Sequence, residues 1–183
     1  SRLVGLHFFV PAHIMKLLEI VKGNTSAPAA LASGYRLAKQ LGKIPVVAGV
    51  CDGFIGNRIV ARYREAADLL LLHGATPAQI DKAMTGFGYA MGPYETQDMS
   101  GLEFAFANRR RHDANRDPNR TYVHIADKMV EAGRLGRKTG LGWYSYANDG
   151  KAETDPLVDA LIIAEADHAG ITRRHFSDDA IVK

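Results

Sequence analysis

Two side chains near the start of the chain have the types and spacing for acid–base chemistry. His7 sits in an apolar run, Leu3–Phe9, closed by Pro11, and Glu19 sits in a second, Leu17–Val21. Continuous apolar runs of this length, rich in aromatic and branched residues, predict short buried strands. A strand–turn–strand pair lays its arms side by side, so a histidine and a carboxylate twelve residues apart can touch. A carboxylate on one imidazole nitrogen fixes the tautomer and stabilises the cation, which leaves the other nitrogen as a general base. A histidine after an apolar run also serves as a satisfied core residue, so spacing alone leaves both roles open. Asn57 is a third candidate. It falls in the first turns of an expected helix, where an amide can face a ligand near the free N–H groups or simply cap the helix. Lys138 lies between glycines in the basic stretch Gly133–Gly142, where a flexible ammonium can reach a phosphate or ribose or stay solvated.

The elements that must position these groups follow from local signals. Thr25 and Ser26 are expected to cap a helix from about Ala27 to Leu41, with Pro28 in its first turn and Leu31, Tyr35, Ala38 and Leu41 inward. Ile44–Val50 is a third strand-like run. A long helix is expected from near Phe54 to His73, closed by Gly74, with Ile55, Ile59, Tyr63, Ala66 and Leu70 on its apolar stripe. Thr76-Pro77-Ala78-Gln79 is a strong helix start, and Pro93 opens another helix. Further helices are expected over Leu102–Arg111, Tyr122–Ala132 and from Asp155-Pro156 to His168, with a strand-like end at Trp143–Tyr146. Asn148–Thr154 is polar and linker-like, and Phe176–Lys183 resembles the opening of one more helix.

Bulk composition sets limits. A chain of 183 residues with 46% hydrophobic and 23% charged residues can bury a sizeable core. A net charge of +3 and a pI of about 9.0 are too mildly basic to argue for nucleic acid without a clustered stripe, but suit a polyanionic small ligand. The single cysteine, Cys51, excludes an internal disulfide framework and fits a reducing, cytoplasmic compartment. No apolar run is long enough for a membrane span. There is no G-x-G-x-x-G phosphate loop in the chain.

The segment HFFVPAHIMKLLEIV (His7–Val21) resembles the HFFNPxxxMxLxEV segment of L-3-hydroxyacyl-CoA dehydrogenases. Four further blocks resemble the same family in the same order: DGFIGNRI (Asp52–Ile59), GATPAQIDKAM (Gly74–Met84), GFGYAMGPYETQDMSGL (Gly86–Leu102) and GRKTGLGWYSY (Gly136–Tyr146). The resemblance runs from about Leu3 to Tyr146. It implies a mainly α fold. Residues 51–147 would form the helical substrate and dimerisation domain, similar to the C-terminal domain of 6-phosphogluconate dehydrogenase. Residues 1–50 would be the last strands of a truncated, NAD-binding Rossmann domain whose nucleotide-binding half precedes Ser1. Residues 148–183 would be a linker and the start of a second helical repeat, as in multifunctional fatty-acid-oxidation enzymes.

The resemblance also implies roles. His7 matches the catalytic base, Glu19 its carboxylate partner, Asn57 the residue on the substrate oxygen and Lys138 a residue near NAD. Val10 stands where the family has an asparagine by the nicotinamide, and valine can neither donate nor accept a hydrogen bond. The implied reaction is NAD-dependent oxidation of (S)-3-hydroxyacyl-CoA to 3-oxoacyl-CoA in fatty acid β-oxidation. The implied partners are an acyl-CoA substrate and either a second copy or a thiolase. Two alternatives stand beside it. The all-apolar quartet Leu69–Leu72 suits a non-catalytic helical assembly module, and the AMGPYE block also resembles dehydrogenases of free short hydroxy acids.

Overall fold

The computed structural model describes residues 1–147 and 150–182, and divides the chain into two compact units, Ser1–Tyr63 and Arg64–Lys183. The first unit is built on a central strand. Strand β1 (Gly5–Phe8) pairs antiparallel with β2 (Leu17–Lys22), and β2 pairs parallel with β3 (Ile44–Gly49), giving the sheet order β1-β2-β3. Two parallel neighbours need a crossover, which helix α1 (Pro28–Gln40) supplies. The middle strand carries the core of this unit, with Leu18, Ile20 and Val21 buried beside Glu19.

Helix α1 differs from its expected orientation. Gly34 and Ala38 are the buried residues, whereas Tyr35 and Leu41 are 44% and 51% exposed. A Cβ built on Gly34 would lie 3.3 Å from Ile20 Cγ2, so the helix closes on β2 through its smallest side chains and turns the large ones aside. Nor do Thr25 and Ser26 cap it. The N-cap is Ala27 without a side-chain hydrogen bond, and Ser26 Oγ instead donates to the Leu3 carbonyl at 2.6 Å.

Helix α2 (Gly56–His73) spans the boundary between the units. Its buried residues are Ala67, Leu71 and Leu72, not the expected Ile59 stripe; Ile59 is 64% exposed. Gly74 ends the helix with a φ of 130°, and its missing side chain matters, because a Cβ there would collide with the Arg174 carbonyl.

The second unit holds α3 (Pro77–Phe87), α4 (Pro93–Ser100), α5 (Leu102–His112), α6 (Ile125–Glu131), the hairpin β4 (Tyr144–Tyr146) and β5 (Ala152–Thr154), α7 (Pro156–His168) and α8 (Asp178–Val182). Thr76 caps α3 as its sequence predicts, its hydroxyl accepting from Gln79 N at 3.2 Å. The core gathers Leu71, Leu72, Ile80, Tyr94, Met129 and Trp143 with Val158, Ile162 and Ala166 of α7. Of the segment expected as a linker, Ala152–Thr154 is strand β5, because its backbone pairs with Tyr144–Tyr146. Asn148 and Asp149 lie outside the described residues, as does Lys183 at the end of the expected last helix. Helix α6 begins at Ile125, three residues after the expected start, because Tyr122 is held outside it by a hydrogen bond from its hydroxyl to Asp127 at 2.6 Å.

Candidate active site

The antiparallel register places His7 directly opposite Glu19. His7 Nδ1 lies 2.6 Å from Glu19 Oε2, with the imidazole side chain 27% exposed and the carboxylate 1% exposed. The other carboxylate oxygen, Oε1, accepts from Ile55 N at 3.0 Å and Gly56 N at 2.8 Å. Glu19 therefore does two jobs: it satisfies free N–H groups at the start of α2, and it accepts the Nδ1 proton of His7. Burial alone would push its carboxyl up, but the hydrogen bonds from His7, Gly56 and Ile55 and the His7 charge outweigh that and hold it below the ordinary value. An ionised carboxylate at Nδ1 favours the neutral tautomer protonated there, which leaves Nε2 as the nitrogen able to accept a proton.

Two aromatic rings border the imidazole. Phe9 lies 4.7 Å and Phe54 5.4 Å from its centroid, both tilted by about 55°. Neither was among the sequence-derived candidates. Their signal was present, since Phe9 follows His7 by two residues and Phe54 lies two residues before the helix carrying Asn57, but nothing in a linear pattern says that both rings meet one imidazole.

Asn57 is the second residue of α2, next to the Gly56 whose N–H binds Glu19, and its side chain is exposed. His7, Glu19 and the start of the helix bearing Asn57 thus come together within the first unit. Val10 lies just beyond β1 and is 87% exposed. Lys138 belongs to the second unit, in a tight turn at Arg137–Thr139, where its ammonium pairs with Glu103 of α5.

The second unit has its own perturbed carboxyls, with structural partners. Asp68 is pushed up to about 7 by burial, against a hydrogen bond from the Tyr94 hydroxyl and the charges of Arg109 and Arg64. Asp81 and Asp98 are also raised by burial, and each is tied down by two backbone N–H groups and a tyrosine hydroxyl. Among the described residues, no group of three His, Cys, Asp or Glu side chains could hold a metal ion, and no helix is long and apolar enough to cross a membrane.

A parallel β2–α1–β3 unit bearing Glu19, flanked by the antiparallel strand that carries His7 and followed along the chain by a helical unit, is consistent with a two-part dehydrogenase. The chain belongs to the 3-hydroxyacyl-CoA dehydrogenase family. The family's C-terminal domain matches residues 53–146 and its NAD binding domain residues 1–51. Peroxisomal bifunctional enzyme from Danio rerio is 41% identical over 192 residues, covering 98% of this chain and 27% of that protein. Its Homo sapiens counterpart is 40% identical over 154 residues, covering 78% of this chain and 21% of that protein. The dehydrogenase part of multifunctional enzyme 1 from C. elegans superposes with a TM-score of 0.70 at 31% identity, covering 98% of this chain and 40% of that one. The (S)-3-hydroxybutyryl-CoA dehydrogenase of Ralstonia eutropha gives 0.71 at 36% identity, covering 79% and 52%. The chain spans about a quarter of the length of the two curated relatives.

Proposed function

We propose that the protein carrying this chain oxidises (S)-3-hydroxyacyl-CoA to 3-oxoacyl-CoA with NAD, as one activity of a multifunctional enzyme of fatty acid β-oxidation. The observation that carries the proposal is the contact of 2.6 Å between His7 Nδ1 and the buried Glu19 carboxylate. The crossover β2–α1–β3 suits a dinucleotide, since parallel units of this kind build dinucleotide-binding sheets. Bound NAD would supply the hydride acceptor.

The residues of the chain then handle a proton and an orientation. His7 Nε2 takes the proton of the 3-hydroxyl as the C3–H bond gives up its hydride, so the substrate loses two hydrogens in all. Glu19 keeps the ring in the productive tautomer and stabilises the imidazolium that forms. The Asn57 amide donates to the substrate oxygen. Val10 and Lys138 are the residues proposed to lie toward the cofactor, with Val10 offering apolar contact in place of an amide. Acyl-CoA is the proposed substrate, and self-association or a thiolase subunit the proposed partnership. The cytoplasm, where the exposed thiol of Cys51 stays reduced, is the proposed compartment; the peroxisome named for the fish and human relatives would serve the same chemistry.

NADH formation from 3-hydroxybutyryl-CoA and longer homologues, followed in the full-length protein, tests this. His7→Ala is expected to slow turnover by about a hundred- to ten-thousand-fold. A variant with the wild-type rate would remove His7 as the base.

A further inference from the structure

Phe54 occupies a backbone conformation that its side chain disfavours. It is the one non-glycine residue with positive φ among the described residues, at 47°, directly after Gly53 at 69°. A bulky residue in the left-handed region is uncommon, because its Cβ crowds the neighbouring carbonyl, and glycine or asparagine usually takes such a place. The turn itself is well defined: Phe54 N donates to the Cys51 carbonyl at 3.2 Å, and Arg58 N to the Gly53 carbonyl at 3.2 Å. The next two N–H groups, of Ile55 and Gly56, are those that hold Glu19 Oε1. The turn therefore presents two things at once, an N–H pair to the carboxylate and an aromatic ring to the imidazole 5.4 Å away.

Backbone geometry alone would favour glycine at this position, and glycine would leave both N–H groups in place. What glycine would remove is the ring. Strained backbone persists where the surrounding structure over-determines it, and the Phe54 ring packs 5.4 Å from the imidazole of His7. Glu19 fixes His7 at Nδ1 but leaves the imidazole free to swing about that hydrogen bond. An aromatic ring packed 5.4 Å away at a tilt of 55° limits that swing and keeps Nε2 aimed along one direction.

We propose that Phe54 is a positioning residue for His7: the left-handed turn at Gly53–Phe54 sets the ring of the base by packing, while the same turn sets its carboxylate partner by hydrogen bonds. Phe9, 4.7 Å from the imidazole centroid, is the second surface of that packing. The inference rests on the reading of His7 as the base.

The test uses the full-length enzyme with Phe54→Leu, Phe54→Gly and Phe54→Tyr, and His7→Ala as the control. Leucine keeps apolar volume without a planar ring, glycine relieves the turn, and tyrosine restores the ring. Leucine and glycine are each expected to lower kcat by at least about ten-fold with KM for acyl-CoA and NAD within about two-fold. Tyrosine is expected to keep kcat within about three-fold of wild type. Selective 15N labelling of histidine is expected to give the same His7 tautomer throughout, because Glu19 sets it, with ring resonances sharp in wild type and the tyrosine variant and broadened by ring motion in the leucine and glycine variants. Full kcat with unbroadened His7 ring resonances in the leucine and glycine variants overturns the proposal. So does a loss carried by KM, which would make Phe54 a substrate contact, or loss of folded structure in both, which would make it a fold residue. If His7→Ala keeps the wild-type rate, the base assignment fails instead; if His7→Ala is inactive while the Phe54 variants are normal, only the positioning role falls.

Discussion

At the scale of single residues, Glu19 is the most constrained group in the first unit. It is 1% exposed, sits in the central strand, and accepts from a side chain and two backbone donors. Its value is depressed in the folded state, so its contribution to stability is fully present above the unfolded value, near 4.5, and is lost as pH falls through the lower folded value. Glu19→Gln removes that linkage and places an amide N–H where a donor already points. The variant is expected to be less stable than wild type at neutral pH and to lose less on acidification below about pH 4.5. Urea midpoints measured by circular dichroism between about pH 3 and 7 would check this; parallel wild-type and variant curves would mean that the Glu19 carboxyl titrates in the fold as it does in the unfolded chain. The same substitution removes the directed acceptor for Nδ1–H, so activity should fall with it.

At the scale of elements, the second unit is held together by aspartates that cap from outside. Asp81, on α3, accepts from Tyr94 N and Glu95 N at 2.9 Å each, in the first turn of α4, and from the Tyr144 hydroxyl at 2.8 Å on β4. One carboxylate thus joins two helices and a hairpin and satisfies the orphan donors of a helix start. Gly92 makes this possible, because a Cβ there would fall 2.2 Å from Asp81 Oδ1. Asp81→Ala leaves two buried donors and one part-buried donor unpaired and is expected to cost about 2–4 kcal/mol. Trp143 is the chain's single tryptophan, buried 4.5 Å from the Tyr94 ring, so its fluorescence in urea reports this unit directly. An unshifted midpoint would show that water replaces the carboxylate at no cost.

At the scale of the whole molecule, the chain beyond the matched helical domain is part of the core. The family match ends at residue 146, yet Val158, Ile162 and Ala166 of α7 are at most 1% exposed, and Phe176 and Ile181 are buried in the same cluster. Arg134, itself buried, reaches across to Asp155 at 2.7 Å, and Glu165 accepts from His124 N at 3.1 Å. A chain ended at Tyr146 is expected to lose cooperative unfolding of the second unit, and Ile162→Ala in the whole chain to cost about 2–5 kcal/mol. Both are read by Trp143 fluorescence. A native, blue-shifted emission and an unchanged transition in the shortened chain would mean that α7 and α8 only decorate the unit.

What the sequence determined by itself was local or periodic. Two short apolar runs joined by a turn let His7 meet Glu19, Thr76-Pro77 started α3, and Gly74 stopped α2, because each depends on groups close along the chain. The five motif blocks carried the family for the same reason: they are short and contiguous. Tertiary structure alone decided which face of α1 closes on the sheet, that Glu19 reaches thirty-seven residues along the chain to Gly56, that Phe54 turns its ring onto His7, and that β5 and α7 complete the second core. Those outcomes depend on which distant side chains compete for the same space. A helix with apolar residues on several faces, such as α1, holds no local record of which of them will be covered.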